Sequence, residues 1–513
     1  MLFRLFFSII VFAVNAVSWL AGRVRARRDA SNAGVATASQ AHREEIRLGH
    51  EIAMDDVSAH PVLGAPVWLP VTDMLSHMWI PSRTGSGKTS LLLLLVSACI
   101  RLRITCAIVD AKGDLLERLL PRFAQFGDAA FWTGRLTILD LLSDWALALN
   151  FFALGGDPYA IAGSLYASIE ALIPGGFGVT IAEGMRAALL ALAMGRGQWT
   201  ILHLEPLLTV RAFSDKVLEG IDDPFVVGFF TRFWSMGADQ RAALVAAIMN
   251  KLVKWTSAPQ FRRMTGQKRC APFRKLADSK GHVFVLKLGT SALPGTAEML
   301  GGIAVTGLID AVFSRATDTV EGKRNSVVLF CDECHGYAVP AFNNVIQEGR
   351  RMGIGIALFH QTVLQLLSAL ADLIMNNAKT LILFGCGAKD ASILSREIGG
   401  EEAWDARTIL TRQAVGQAYF CSRGKEPKRL VVDFEPDPQV DPAVVDAIRQ
   451  VGLSAYARPA AEVDAEIAAE LAAIRAMGAA AATGASSNSE VPDAANVAVR
   501  PVQDGGQKRR KGH

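Results

Sequence analysis

Two kinds of apolar pattern divide this chain. From about residue 61, short continuous apolar runs alternate with helical segments. Met78-Trp79-Ile80 is one such run, and Thr105 to Val109, closed by Asp110, is another. Leu136 to Leu139, closed by Asp140, has the same form, and Leu91 to Ala98, broken only by Ser97, reads as a buried helix. Strands that are apolar along their whole length, each followed by a helix, predict a mainly parallel sheet covered on both faces. Over about residues 150–275 the strand pattern stops and helical periodicity takes over, clearest in Glu183 to Met194 and Ala242 to Val253. This predicts an all-α domain inserted into an α/β domain. Strand runs resume at His282 to Leu286, Val327 to Cys331, Gly355 to Phe359, Thr380 to Phe384 and Leu430 to Phe434. Past residue 457, Val463, Ile467, Leu471, Ile474 and Met477 recur at helical spacing, with Glu462, Glu466 and Glu470 off the stripe.

The two ends differ from the body. Leu2 to Ala21 is almost wholly apolar, long enough to cross a bilayer, and Arg23, Arg25, Arg27 and Arg28 follow at once. Charge after the apolar run, not before it, is the order of an uncleaved anchor. The arginines predict a cytoplasmic body on a single-pass helix of a bacterial inner (cell) membrane. The expected division is an anchor with basic flank over 1–28, a polar, Ala-rich stalk over 29–60, and the α/β domain over 61–149 and 276–456, interrupted by the insert at 150–275. The amphipathic helix and a disordered tail occupy 457–513. The tail ends in Lys508-Arg509-Arg510-Lys511, which reads as solvated charge or as a contact for nucleic acid or lipid.

Composition adds little. A length of 513 residues implies about two or three domains. The net charge of +4 is too small to indicate a nucleic-acid partner by itself. Seven cysteines, mostly inside apolar runs, suit reduced core positions, and Cys331-x-x-Cys334 has no second pair nearby to make a metal site.

The chemistry begins at Ser82-Arg83-Thr84-Gly85-Ser86-Gly87-Lys88-Thr89-Ser90, between a predicted strand and a predicted helix. This is the context of a phosphate-binding loop. The glycines let backbone N–H groups converge, and the helix N-terminus adds positive potential. Lys88 would reach the β- and γ-phosphates of ATP, and the Thr89 hydroxyl would hold Mg²⁺. Ser82 stands where the usual pattern has its first glycine. The run Val327 to Cys331 ends in Asp332-Glu333. Asp332 would hold Mg²⁺ directly or through water, and Glu333 would polarise the attacking water. The run ending at His360 delivers Gln361 to a strand's carboxyl end, where ligands of parallel sheets gather. Its amide could sense the γ-phosphate or orient the water. Arg350 and Arg351, just before that run, read either as an arginine finger acting on a neighbour's site or as surface ion-pairing residues.

These motifs, with Val109-Asp110-Ala111-Lys112-Gly113-Asp114 and the Gly349-Arg350-Arg351-Met352-Gly353-Ile354-Gly355…His360-Gln361-Thr362 segment, resemble the HerA/FtsK-type motor ATPases. Among these the chain is most similar to the type IV secretion coupling proteins, the TraD/TraG-like ATPases of conjugation, over about residues 61–435. The resemblance implies a RecA-like P-loop NTPase core and a homo-hexameric ring on the inner membrane. It also implies ATP-driven movement of DNA, or of a protein–DNA substrate such as a relaxase complex, toward inner-membrane secretion channel proteins, with the α-insert receiving the substrate. No base-reading motif is visible, so DNA contacts are expected at phosphates. Coupling proteins commonly carry two membrane helices, whereas this sequence shows one.

Other readings fare worse. Asp332-Glu333-Cys334-His335 suggests a superfamily 2 helicase, but the Ser-Ala-Thr segment and second RecA-like domain of that class are missing. A related secretion or mobile-element ATPase outside conjugation stays open. A membrane scaffold with a lapsed site has only Ser82 in its favour.

Overall fold

The computed structural model describes residues 45–173, 177–317, 319–320, 322–334, 341–363, 366, 368–398 and 403–486. The expected anchor over 1–28, the first part of the stalk, His335 and the basic tail lie outside the described residues.

The strands are β1 Glu45–Ile52, β2 Pro66–Pro70, β3 Met78–Pro81, β4 Thr105–Asp110, β5 Leu136–Asp140, β6 Trp145–Leu147 and β7 Val283–Lys287. They continue with β8 Val327–Asp332, β9 Ile354–His360, β10 Thr380–Phe384, β11 Gln417–Ser422, β12 Lys428–Val432 and β13 Ala457–Pro459. Eleven of them form one sheet in the order β2-β1-β12-β11-β10-β3-β9-β8-β4-β7-β5. From β10 to β5 every neighbour is parallel. From β10 to β2 every neighbour is antiparallel. The parallel part holds the strands that read as continuous apolar runs, because both of its faces are covered. Alternate residues of β8 fall into different cores: Val327, Leu329 and Cys331 into one, Val328 and Phe330 into the other. The second core is closed by helices Lys88–Arg101 and Leu115–Phe126. The first is closed by helices Thr296–Phe313 and Ala341–Met352, and it continues without a break into the insert.

The segment expected to be a stalk is partly a sheet strand. In β1, Ile46, Leu48 and Ile52 are buried, and the strand pairs antiparallel with β12. Its intervening Glu45 and Arg47 made it look polar, but alternation is what a strand near a sheet edge needs. The expected strand at Leu430 to Phe434 is shifted to Lys428–Val432.

Residues 150–275 are helical where described, apart from an isolated bridge between Leu149 and Cys270 that ties the two chain crossings together. The amphipathic stripe past residue 457 forms a helix, Ala460–Ser486, that runs further than its stripe. Val463, Ile467 and Ile474 are buried, while Met477 is exposed. Arg263 grips Asp464 through two nitrogens, and Lys268 pairs with Glu470 at 2.6 Å, so this helix is fastened to the insert. Its strand β13 pairs with β6, where the chain enters the insert.

One stretch among the described residues, Thr296–Thr317, is long and apolar enough to span a membrane, but 78% of its apolar window is buried inside the fold. It is a core helix in this structure.

Candidate nucleotide site

Ser82 to Thr89 leaves β3 at its carboxyl end and turns into helix Lys88–Arg101. The loop is pinned from both sides. The Ser82 amide donates to the His360 carbonyl at 3.0 Å and the Arg83 amide to the Gly385 carbonyl at 2.9 Å. The Gly416 amide donates to the Ser86 carbonyl at 2.8 Å. Gly87 caps the helix with φ 111°, and a Cβ there would come within 3.1 Å of the Gly416 backbone. Glycine is required on both counts. No side chain caps this helix, so its first N–H groups remain available to an anion. Ser82 is fully buried beneath the loop, so its side chain sits in the protein and not in the cleft.

Opposite the loop, β8 ends at Asp332 and Glu333. Lys88 Nζ lies 2.9 Å from Asp332 Oδ1 and 2.9 Å from Glu333 Oε1. Gln361 Nε2 donates to the same Glu333 Oε1 at 2.9 Å, and Lys112 Nζ to it at 3.0 Å. Glu333 has φ 49°, a left-handed conformation costing roughly 1–2 kcal/mol for a residue with a Cβ. That strain is held by a fold that keeps the carboxylate aimed into the cleft. Burial works against the charge on Glu333, but Lys88, Gln361 and Lys112 overcome it and hold the carboxyl at about 2. Asp332 is pushed above its ordinary value because burial outweighs its pairing with Lys88. Burial opposes the charge on Lys88, and the two carboxylates raise its pKa nonetheless.

The cleft between loop and strand ends has a volume of about 340 Å³. Thr89, Ser90, Arg118, Asp114 and Val415 also line it. The structure therefore brings together Lys88, Thr89, Asp332, Glu333 and Gln361, which the sequence placed far apart. A hydroxyl, a carboxylate and phosphate oxygens are hard oxygen donors suited to Mg²⁺. The uncapped helix start and the glycine cradle fit a polyphosphate.

Arg350 and Arg351 are not in this cleft. They end helix Ala341–Met352 at the amino end of β9, whereas Gln361 follows its carboxyl end. Seven strand residues separate the two ends, about 20 Å. Both arginines are exposed. Arg350 instead borders a hollow with His77, Lys379 and Arg423.

The structure adds residues that the sequence left without a role. Lys112 reaches Glu333 because β4 pairs directly with β8. Its turn is shaped by Asp110, whose two oxygens accept the Gly113 amide at 2.7 Å and the Leu116 amide at 3.0 Å. Burial pushes that carboxyl up to about 6 despite these bonds. The Asp-x-Lys-Gly spelling was the signal. His360, fully buried, stacks on Trp79 at 5.6 Å and accepts the Trp79 indole N–H at Nε2. Its Nδ1 therefore carries the proton toward the Thr362 carbonyl, 3.1 Å away. This pair locks β9 to β3 directly beneath Gln361. Cys331 and Cys334 are buried, and burial pushes the Cys334 thiol up to about 12, so they are packing residues here.

Sheet order and site geometry together are those of a P-loop NTPase fold, with one such core among the described residues. Residues 326–431 match the family described as the TraM recognition site of TraD and TraG. The resemblance to TraD/TraG-type coupling ATPases, read from the motifs, is thereby borne out. Among solved structures, the plasmid coupling protein TrwB in complex with the GTP analogue GDPNP is 16% identical, with a TM-score of 0.54. That likeness covers 79% of this chain and 99% of the other. TrwB in complex with ADP and Mg²⁺ has a TM-score of 0.53 at 16% identity, covering 78% of this chain and 97% of that one. VirB4 of Thermoanaerobacter pseudethanolicus has a TM-score of 0.50 at 13% identity, covering 77% and 97%. At these identities the likeness establishes the fold. No curated protein matches the chain by sequence.

Proposed function

We propose that this chain is a membrane-anchored, ATP-hydrolysing motor of the coupling-protein type. It moves DNA, or a protein–DNA substrate such as a relaxase complex, toward a type IV secretion channel. The observation that carries the reading is the convergence of Lys88, Asp332, Glu333 and Gln361 across one cleft beside an uncapped helix N-terminus. The TrwB structures with nucleotides and Mg²⁺ support the same ligands here.

On this reading the phosphates of ATP take the loop amides and draw Lys88 away from the acids. Thr89 and Asp332 would hold Mg²⁺, which would supply neutralisation of phosphate charge. Glu333, released from Lys88, accepts a proton from the attacking water, and Gln361 orients that water. Six copies form a ring, and an arginine from the neighbour, Arg350 or Arg351, completes each site. Residues 1–28 anchor the ring in the inner membrane with its body in the cytoplasm. Contacts to DNA fall on phosphates.

The test is ATP turnover of purified protein, with and without DNA, for the natural chain and Lys88→Ala. Turnover that requires Lys88 and rises with DNA supports the motor. Turnover indifferent to Lys88 refutes the site.

A further inference from the structure

Lys112 has no part in the reading above, yet it shares the Glu333 oxygen that Lys88 and Gln361 hold. The three donors stand on three different elements. Lys88 opens the loop helix and Gln361 follows β9, whereas Lys112 sits on the turn after β4. Phosphates entering the cleft would compete for Lys88. Lys112 Nζ is anchored from outside the phosphate loop, and the side chain is nearly half exposed.

The Lys112 turn is joined to a second segment, the loop from Gly289 to Gly295 after β7. On one side of Lys112, the Leu288 amide donates to the Asp110 carbonyl at 2.9 Å. Nearer still, the Thr290 amide at 2.9 Å and the Thr290 hydroxyl at 3.0 Å both donate to the Ala111 carbonyl. On the other side, Gly113 (φ 89°) faces Gly289 (φ 59°), and a Cβ on Gly113 would lie 3.4 Å from the Gly289 Cα. Backbone thus packs on backbone, with little side-chain cushion between the two segments. The far end of the loop is held by the insert. Trp255, buried at the end of helix Ala238–Thr256, donates its indole N–H to the Gly295 carbonyl at 2.9 Å. Lys254 lies across Gly295, where a Cβ would meet its Cε at 2.2 Å and where φ is 77°. A short path therefore runs from the insert to the catalytic carboxylate: a hydrogen bond from Trp255 to Gly295, the chain itself from Gly295 back to Thr290, hydrogen bonds from Thr290 to Ala111, and then Lys112 onto Glu333.

We propose that Lys112 is a positioning residue, a latch that restrains Glu333 and that the all-α insert sets or releases through the loop from Gly289 to Gly295. With the latch closed, the Glu333 carboxylate is committed to an ammonium and cannot turn to a water. Movement of the last turn of helix Ala238–Thr256, carried by Trp255, displaces the loop, and the glycine-to-glycine contact passes that displacement to the Lys112 turn. Turnover is thereby tied to what the insert holds. The inference rests on the ATPase reading of the site and adds its regulation.

The experiment uses the full chain with Lys112→Met, Lys112→Arg and Trp255→Phe. Three quantities are read: amide hydrogen exchange of the nucleotide-free protein, binding of a fluorescent ATP analogue, and turnover with and without mixed-sequence plasmid DNA. Lys112→Met should bind nucleotide within about twofold of the natural chain, because the phosphate loop is untouched. Its exchange over residues 332–334 should rise, its DNA-free turnover should rise several-fold, and its stimulation by DNA should shrink toward none. Lys112→Arg, which keeps the cation, should stay near the natural chain. Trp255→Phe should speed exchange over 289–295 and 110–113 while leaving 82–89 unchanged. Lys112→Met that loses nucleotide binding, or that turns over more slowly with binding intact, overturns the latch, because Lys112 would then be a phosphate ligand or a promoter of the chemistry. Unaltered exchange over 110–113 in Trp255→Phe overturns the connection to the insert. Absence of turnover in the natural chain would instead sink the ATPase reading, and the exchange measurements would still decide the contacts.

Discussion

Replacing Glu333 by glutamine separates the two roles that its position implies. In the nucleotide-free arrangement its Oε1 takes charge-assisted hydrogen bonds from Lys88 at 2.9 Å and Lys112 at 3.0 Å. Glutamine keeps the shape but removes the charge. Bonds to charged groups are worth about 1.5–3 kcal/mol each, though Lys88 keeps Asp332 at 2.9 Å and Lys112 is partly solvated. A net loss of about 1–2 kcal/mol from the nucleotide-free state is a reasonable expectation. When ATP takes Lys88, that part of the loss disappears, because the bond it concerns is already broken. The Lys88 share, about half of that loss, is the part that converts into affinity, so Glu333→Gln should bind ATP more tightly by about two- to fivefold. Turnover should fall by about 10²–10⁴-fold, since an amide cannot accept the proton. Equilibrium binding of a fluorescent ATP analogue and single-turnover hydrolysis measure the two effects separately. Weaker binding, or turnover within tenfold of the natural chain, would show that Glu333 is structural and that the attacking water is activated elsewhere.

Other outcomes follow from the same geometry. Lys88→Ala should abolish turnover, and it should also lower the thermal midpoint without nucleotide, because it leaves Asp332 and Glu333 buried with less positive charge. Melting without turnover loss would refute the phosphate role. Removing residues 1–28 should release the protein from membranes and weaken ring assembly, read by flotation and light scattering; continued flotation would point to another anchor. Arg350→Ala and Arg351→Ala should each bind ATP normally, and the one that serves as finger should lose about a thousandfold in rate. Mixed with Lys88→Ala, that variant should recover some activity, and a lack of recovery in any mixture moves the finger to Arg396, Arg407 or another arginine. Glu470, held down at about 2 by His203 and Lys268 against burial, fastens the last helix to the insert. Its depressed value means that its contribution, about 1–2 kcal/mol after allowance for solvent, is present above about 4.5 and is lost as pH falls toward 2. Protection factors of 460–486, with exchange corrected for its intrinsic pH dependence, should fall over that window in the natural chain and less so in Glu470→Gln.

The parallel half of the sheet was legible because its strands are buried on both faces and read as unbroken apolar runs; Thr380 to Phe384 matches β10 residue for residue. Of the antiparallel half only β12 was, with its bounds shifted by two residues. β1 alternates and so looks polar, β2 is bounded by Pro66 and Pro70, and β11 opens on Gln417, whose buried amide donates to the Ser58 carbonyl at 2.6 Å. That Lys88, Thr89, Asp332, Glu333 and Gln361 line one cleft was expected from their spelling. Lys112 was visible only as a motif letter, since its role depends on β4 lying beside β8, and strand order is not written in local sequence. Arg350 and Arg351 were read as serving a neighbour's site or as surface residues, and their placement agrees with their not serving their own cleft. They stand close to Gln361 in sequence, yet a strand runs between them.

That separation bears on how the site would be completed. Within one chain, the arginines that border the cleft already have partners: Arg83 donates to the Gln413 carbonyl at 3.2 Å, and Arg118 lies 3.4 Å from Asp437. The cations aimed at the acids are the lysines 88 and 112. A dissociative phosphoryl transfer gains most from a guanidinium placed where charge develops. A free arginine at the amino end of β9 cannot reach its own cleft some 20 Å away, but it can reach a neighbour's if the amino edge of one sheet abuts the carboxyl edge of the next. A ring with that packing would couple each site to the state of the adjacent β9. The same β9 leads into Gln361, which is bonded to Glu333, so a strand next to one nucleotide would present an arginine to another. Sequential firing around the ring would then follow from the placement of one strand.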